Sequence, residues 1–351
     1  MRNRLVTGLA ALVCAGALAA CGTQADPYGA SGAASGGDGT QSSGGSGGSA
    51  VTIGLTYIPN VQFSPVYVAE DDGIYRAAGL DTTIRHHGSD EALFTAVATG
   101  EEDVVVASGD EVLQARDQGL DLVSIGAYYR SYPVVVIVPE DSSIKTLADL
   151  AGKRIGVPGE YGSSWLGLLA ALDQASLTQD DVDVVSIGYT QQAALTSGQV
   201  DAVVGFTNND LVQFQQAGAA VRALELDPDS VPLVSASIIT THEWLDAHPD
   251  QARAVVDATV AGIQRVVDNP QHAIEVTQHY DQTLTGADAV EGARAVLAAT
   301  TKLFLGTDDT VSGEQDLERW RAMGSFLKGV PDMLSSAPDI DAAVTNDYVS
   351  R

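Results

Sequence analysis

Short apolar strands alternate with helix-favouring runs along most of this chain, and that alternation constrains its fold more than any other feature. Residues 51–56 read as a strand, 66–78 as a helix stopped by Gly79, and 81–85 as a second strand. A helix is expected over about 91–99, a buried strand at Val104-Val-Val-Ala107, a helix over about 111–118 and a strand over 122–125. Pro133-Val-Val-Val-Ile-Val-Pro139 is continuously apolar, and the pattern then restarts. Residues 144–157 give a short helix, a turn and a strand; strands follow at 182–187 and 200–206, with a helix at 191–197 between them. Residues 233–240 are strand-like, and long helices such as 244–268 and 288–303 come after. This spacing predicts parallel βαβ units in an α/β fold. Ligands of such sheets gather off the carboxyl ends of the strands, so the loops after Thr56, Ala107 and Val157 are the expected binding loops.

The third of these loops is the richest. Gly156-Val-Pro-Gly-Glu-Tyr-Gly-Ser-Ser-Trp165 joins a short strand to the apolar run 166–172. Ser163 and Ser164 stand where a helix N-cap belongs, so free N–H groups are expected at the turn. Gly159 and Gly162 would admit a ligand close to the backbone, and Tyr161 and Trp165 offer flat apolar faces. An ordinary strand-to-helix turn has the same composition.

The N-terminus carries a different message. Arg2 and Arg4 precede an apolar run that ends in Leu18-Ala-Ala-Cys21, the anatomy of a secretory signal over residues 1–20. The run is short for a permanent membrane span. Cysteine directly after Leu-Ala-Ala resembles the bacterial lipobox, which implies lipidation of Cys21 and an anchor on the outer face of the cytoplasmic membrane. Cys14 would leave with the signal, so the mature chain would hold no other thiol. Residues 21–50 are rich in Gly, Ser, Ala and Thr and read as a flexible tether.

Several chemistries find little support. A formal net charge of −28, with no Lys/Arg cluster, argues against nucleic acid. His86 and His87 are adjacent and would face opposite sides of a strand, so no metal site is expected. The glycine spacing around Gly156 is not that of a dinucleotide fingerprint, Gly-x-Ser-x-Gly is absent, and no cofactor is expected. No catalytic constellation stands out, which favours a binding protein over an enzyme.

Pro65-Val-Tyr-Val-Ala69, Gly73-Ile-Tyr75, Ala78-Gly-Leu80, Asp103-Val-Val-Val-Ala107 and Leu147-Ala-Asp-Leu-Ala-Gly-Lys-Arg-Ile-Gly156 fall in order along the chain. Together they resemble the solute-binding proteins of ABC importers, in the THI5-like and SsuA-like group that binds pyrimidines, riboflavin, sulfonates or nitrate. The resemblance implies a type II periplasmic-binding-protein-like fold, with two α/β lobes, two crossing strands and a ligand cleft between the lobes. The crossings would lie near 134–140 and 233–241, with lobe 1 formed by 51–140 plus 233–351 and lobe 2 by 141–232. It also implies ABC permease subunits as partners, and a monomer is expected. The enzyme branch of the superfamily carries a cysteine-rich motif, which a chain without cysteine after Cys21 cannot match.

Phe63 could stack on an aromatic ligand or belong to the core. Ser108 and Asp110 follow a strand end and offer a hydroxyl and a carboxylate, with helix capping as the local alternative for Ser108. Tyr128, Tyr129 and Tyr132 surround Arg130 just before the first crossing, and Tyr132 is taken as a cleft residue. Tyr161, Gly162 and Ser163 are the cradle contacts, and Trp165 is expected to pack on the sheet. Asn208, Asn209 and Asp210 close a strand, in a Gly205-Phe-Thr-Asn-Asn-Asp210 pattern that resembles one in which relatives commonly carry an aromatic, Asn and an acidic residue, with Asp210 standing where Glu is expected. The expected cargo is a planar heteroaromatic such as riboflavin or a thiamine pyrimidine. A small anion (sulfonate, taurine or nitrate) and a secreted pyrimidine-modifying enzyme are the alternatives.

Overall fold

Among the described residues, ten strands, built mostly from Val, Ile and Leu, pair into two separate five-stranded sheets. The computed structural model describes residues 48–87, 92–306 and 309–350. The signal run, Cys21 and the tether up to residue 47 lie outside the described residues, as does the start of the helix expected at 91–99.

The strands are β1 (Ser49–Leu55), β2 (Leu80–His86), β3 (Val104–Ser108), β4 (Leu122–Ala127), β5 (Val134–Pro139), β6 (Arg154–Val157), β7 (Asp183–Ser186), β8 (Ala202–Phe206), β9 (Val221–Glu225) and β10 (Ala236–Thr241). The first sheet has the order β2-β1-β3-β10-β4 and the second β7-β6-β8-β5-β9. Each is parallel except for one inserted strand: β10 runs antiparallel between β3 and β4, and β5 antiparallel between β8 and β9.

That insertion fixes where the chain passes from one sheet to the other. Val134, the first residue of β5, pairs with Phe206, the last of β8, and Ala236, the first of β10, pairs with Ser108, the last of β3. The linking segments 128–133 and 226–235 therefore both run past the carboxyl ends of the parallel strands. Those ends face each other across a seam. The strand expected to begin the crossing at 134–140 instead sits wholly within the second sheet, because its ladder partners are β8 and β9. The lobe boundary accordingly falls in 128–133 and not at 140/141.

Helices cover the sheets, with breaks where the backbone demands them. The helix read over 66–78 is two pieces, Ser64–Asp71 and Ile74–Ala77, separated by Gly73 at φ +71°. The long run read over 244–268 is also split, into His242–Ala247 and Pro249–Asp268. Pro249 lacks the N–H an uninterrupted helix would need there, and instead starts the second piece. Helix Pro249–Asp268 crosses Ser64–Asp71 at Gly262, where an added Cβ would lie 2.2 Å from the Pro65 carbonyl oxygen. Trp320, Met323 and Leu327 of the helix Leu317–Gly329 join the same buried core as Val136 of β5 and Leu166. Arg319 of that helix also donates to the carbonyls of Pro228 (3.0 Å) and Val231 (3.4 Å), tying it to the second linking segment.

Candidate ligand cleft

At the seam, a fully buried carboxylate joins the two lobes. Asp110 follows β3 and is 0% exposed. Its Oδ1 accepts from Ser163 Oγ at 2.9 Å and its Oδ2 from the Tyr132 hydroxyl at 2.8 Å, which also reaches the Ser163 carbonyl oxygen at 3.1 Å. Three of the expected contacts, from β3, the first linking segment and the cradle, thus form one hydrogen-bonded knot. Ser163 belongs to the first turn of the helix Gly162–Gln174, whose N-cap Tyr161 supplies no side-chain cap. The Asp110 carboxylate therefore sits beside the positive end of that helix, which offsets part of its burial cost. Burial pushes the Asp110 carboxyl up to about 6, held back by the Tyr132 and Ser163 hydrogen bonds. Next to it, burial and then the Asp110 charge push Glu111 up to about 8, opposed by a hydrogen bond with Ser108.

Beside this knot the cleft opens into an aromatic mouth. Tyr57, Tyr161 and Tyr189 are 45%, 58% and 79% exposed, and with Ile58 they are the exposed large hydrophobic residues among the described residues. Tyr57 follows β1 in lobe 1, while Tyr161 and Tyr189 follow β6 and β7 in lobe 2. Burial, then Tyr161, Glu111 and Tyr57, raise the Tyr189 phenol above the usual range. The three rings and Glu111 therefore share one neighbourhood spanning both lobes. Gly162, at φ +70°, turns the chain into its helix, and a Cβ there would lie 3.9 Å from Glu111 Oε1.

Gly159 has a different task from the one its sequence suggests. A Cβ on it would fall 2.2 Å from Tyr161 Cε1, so the space it leaves is filled by the Tyr161 ring rather than held for a ligand. Gly159→Ala should therefore displace an exposed ring without touching the core. The expected outcome is roughly tenfold weaker ligand binding with a melting temperature unchanged within about 1 °C; equal loss of both would mean the turn itself collapses.

A second polar bridge crosses the seam at Asn208. This residue is 1% exposed, and its Nδ2 donates to Thr300 Oγ1 at 3.1 Å and more weakly to the Tyr129 hydroxyl at 3.5 Å. Its Oδ1 and the buried Ser64 Oγ have no hydrogen-bond partner among the described residues. Nearby, Gln216 Nε2 donates to the Gly292 carbonyl at 3.1 Å.

Other candidates are placed elsewhere. Phe63 is 6% exposed and packs edge-on to His86 in the lobe 1 core, with no free face for stacking. Asp210 Oδ2 accepts from the Phe206 N–H at 2.8 Å, closing the strand-end turn, and Asn209 Oδ1 accepts from Gln213. Ser108 is half-buried and turned to Glu111. Trp165 is buried in the core. Arg154 is paired with Asp201 at 2.7 Å, at the amino end of β6 and away from the mouth. Arg130 donates to the Thr310 carbonyl at 3.0 Å. Sequence reasoning missed Tyr57, Tyr189 and Glu111. An exposed tyrosine after a strand was the available signal for the first two; nothing in the sequence marked Glu111 off from its acidic neighbours.

Two α/β lobes, each with one reversed strand, and a polar seam between the strand ends define the type II periplasmic-binding-protein fold. The alkanesulfonate-binding protein SsuA from Xanthomonas axonopodis pv. citri superposes with a TM-score of 0.65 over 85% of this chain and 98% of that one, at 19% identity. Residues 60–273 match the NMT1/THI5-like family, and the chain belongs to that family. It is 30% identical over 304 residues to the riboflavin-binding protein RibY of Chloroflexus aurantiacus, covering 85% of this chain and 86% of that protein. It is also 25% identical over 232 residues to a 4-amino-5-hydroxymethyl-2-methylpyrimidine phosphate synthase of Legionella pneumophila, covering 65% and 72%. This last likeness corrects the reading of the chain as a non-enzyme: relatives are named as synthases, so descent gives no ground for excluding catalysis. The physical reason is that a cleft between two lobes can enclose a small molecule as cargo or as substrate alike.

Proposed function

We propose that this protein captures a planar, uncharged heteroaromatic compound, riboflavin or a thiamine pyrimidine, between Tyr57, Tyr161 and Tyr189, and delivers it to an ABC importer. The observation that carries this reading is the exposure of three tyrosines around one mouth beside a buried polar knot. Flat rings supply stacking at low entropy cost, while Glu111 and the Asn208 oxygen offer hydrogen-bonding groups for a heterocycle's edge. The likeness to RibY supports the ligand class. Lipidation of Cys21 would hold the protein outside the cytoplasmic membrane, with residues 21–50 as tether and lobes meeting near 128–133 and 226–235.

An anion cargo finds less support, since Arg154 and Arg130 are engaged elsewhere and the likeness to SsuA carries the fold alone. The test is thermal unfolding of the full chain with riboflavin, hydroxymethylpyrimidine, taurine or nitrate, since a bound ligand raises stability by RT ln(1 + [L]/Kd). Riboflavin or the pyrimidine should raise the melting temperature, and Tyr161→Ala should weaken that ligand by at least about tenfold. Stabilisation by taurine or nitrate alone would overturn the proposal. Mass spectrometry of the recovered ligand separates delivery from turnover: a chemically altered ligand would assign the cleft to catalysis.

A further inference from the structure

Two carboxyl groups, and no basic group, act on the polar floor of the aromatic mouth. Asp110 and Glu111 are consecutive, and the groups acting on their ionisation are each other, Tyr132, Ser163, Ser108 and adjacent backbone N–H groups. Glu111 Oε1 lies next to Gly162 and acts on Tyr189, so it borders the space between the rings. Asp110 lies behind it, fully buried, with its Oδ1 on Ser163 in the first turn of the helix Gly162–Gln174. A helix start of this kind, with unsatisfied N–H groups and the positive end of the dipole, is an ordinary seat for phosphate or another anion. Here the protein's own carboxylate, delivered from the opposite lobe, accepts from the Ser163 hydroxyl in that first turn.

We infer that Asp110 and Glu111 make the cleft selective for uncharged heterocycles over their phosphate esters. Asp110 places a carboxylate at the helix start through the Ser163 hydroxyl, and Glu111 presents a second carboxyl group where a phosphate would need a cation. This selectivity rests on the heteroaromatic-binding reading and adds to it a choice between two metabolic forms of the same ring. A phosphate ester brings close to two negative charges at neutral pH. Placed beside this pair in a partly dehydrated seam, it meets repulsion from the Asp110 carboxylate at neutral pH, and from Glu111 as well once the pH passes about 8. A free hydroxyl in the same place has no such conflict, and it accepts from or donates to Glu111 in either ionisation state.

The experiment compares two matched pairs by titration calorimetry with the full chain: riboflavin against riboflavin 5′-phosphate, and hydroxymethylpyrimidine against its phosphate. In whichever pair binds, the phosphate-free member should bind at least about tenfold more tightly, equivalent to about 1.4 kcal/mol. At about pH 9, where the Glu111 carboxyl is ionised, Glu111→Gln should shrink that ratio to about threefold or less, mainly through improved binding of the phosphate ester. Equal or tighter binding of the ester by the unaltered protein overturns the selectivity while leaving the heteroaromatic reading standing. An unchanged ratio in Glu111→Gln at about pH 9 removes Glu111 from the role. If no member of either pair binds, the heteroaromatic reading falls, and the selectivity falls with it.

Discussion

Gly262→Ala is expected to lower stability by about 3 kcal/mol, the upper range for overpacking a closed interface. The new methyl would lie 2.2 Å from the Pro65 carbonyl oxygen and 3.0 Å from Ala69 Cβ. A clashing side-chain tip can rotate away, but a helix carbonyl cannot move alone. The helices Ser64–Asp71 and Pro249–Asp268 would have to separate, loosening contacts around Val66, Ala69, Ile263 and Val266, all nearly or completely buried. For a body of this size that corresponds to a fall of roughly 6 °C in melting temperature. Gly292→Ala is the control. It is also mid-helix, but its Cβ would meet only the flexible Gln216 amide, at 3.4 Å. Helix propensity should then make it neutral or slightly stabilising. Circular dichroism melts of the two variants decide the matter, and a Gly262→Ala melt matching the unaltered protein would mean the two helices do not meet this closely.

Glu111→Gln is expected to stabilise the protein at neutral pH and to flatten its pH dependence. The carboxyl is raised from 4.5 to about 8 by burial and by Asp110. Between those values the unfolded chain has released the proton while the folded chain keeps it, so folding takes up a proton and stability falls as pH rises from about 4.5 to about 8. Asp110, raised from 3.8 to about 6, adds a slope of the same sign at lower pH. Glutamine cannot ionise, so the difference between variant and unaltered protein should grow from near zero at pH 5 to on the order of 2 kcal/mol at pH 8. The full linkage value is not reached, because parting of the lobes rehydrates Glu111 without unfolding either sheet. Denaturant titrations at pH 5, 6.5 and 8 measure the difference; a gap that stays constant with pH would place the Glu111 carboxyl in water.

Strand-level organisation was legible because β3, β5 and β8 are nearly continuous Val/Ile/Ala runs, as buried strands are. β9 was not, because Val221-Arg-Ala-Leu-Glu225 is a half-exposed edge strand of mixed composition. Helix ends failed where a local residue overrode periodicity, as at Gly73 and Pro249. At the site, Tyr132 and Ser163 could be nominated from their place beside a strand end, and Asp110 likewise, although nothing in the sequence says that the three meet. Phe63 has the same neighbours in sequence as a stacking residue would, yet the 3-10 turn Val61–Phe63 rolls it inward onto His86. Which way a side chain points from a loop depends on contacts made by distant segments, and those are not written locally.

The insertion of β10 between β3 and β4 makes the two lobes unequal as folding units. Everything the second sheet needs, from β5 to β9, is one uninterrupted stretch, so its strands can assemble from near neighbours. The first sheet has a strand-wide gap until β10 emerges, after the entire second lobe has been made. Its β3 and β4 cannot pair with each other and must wait with open edges, at the higher entropic cost of long-range closure. The order of synthesis thus favours completing the lobe that carries Tyr161 and Tyr189 first, and the buried Asp110 knot can close only when the late strand has locked the other lobe around it.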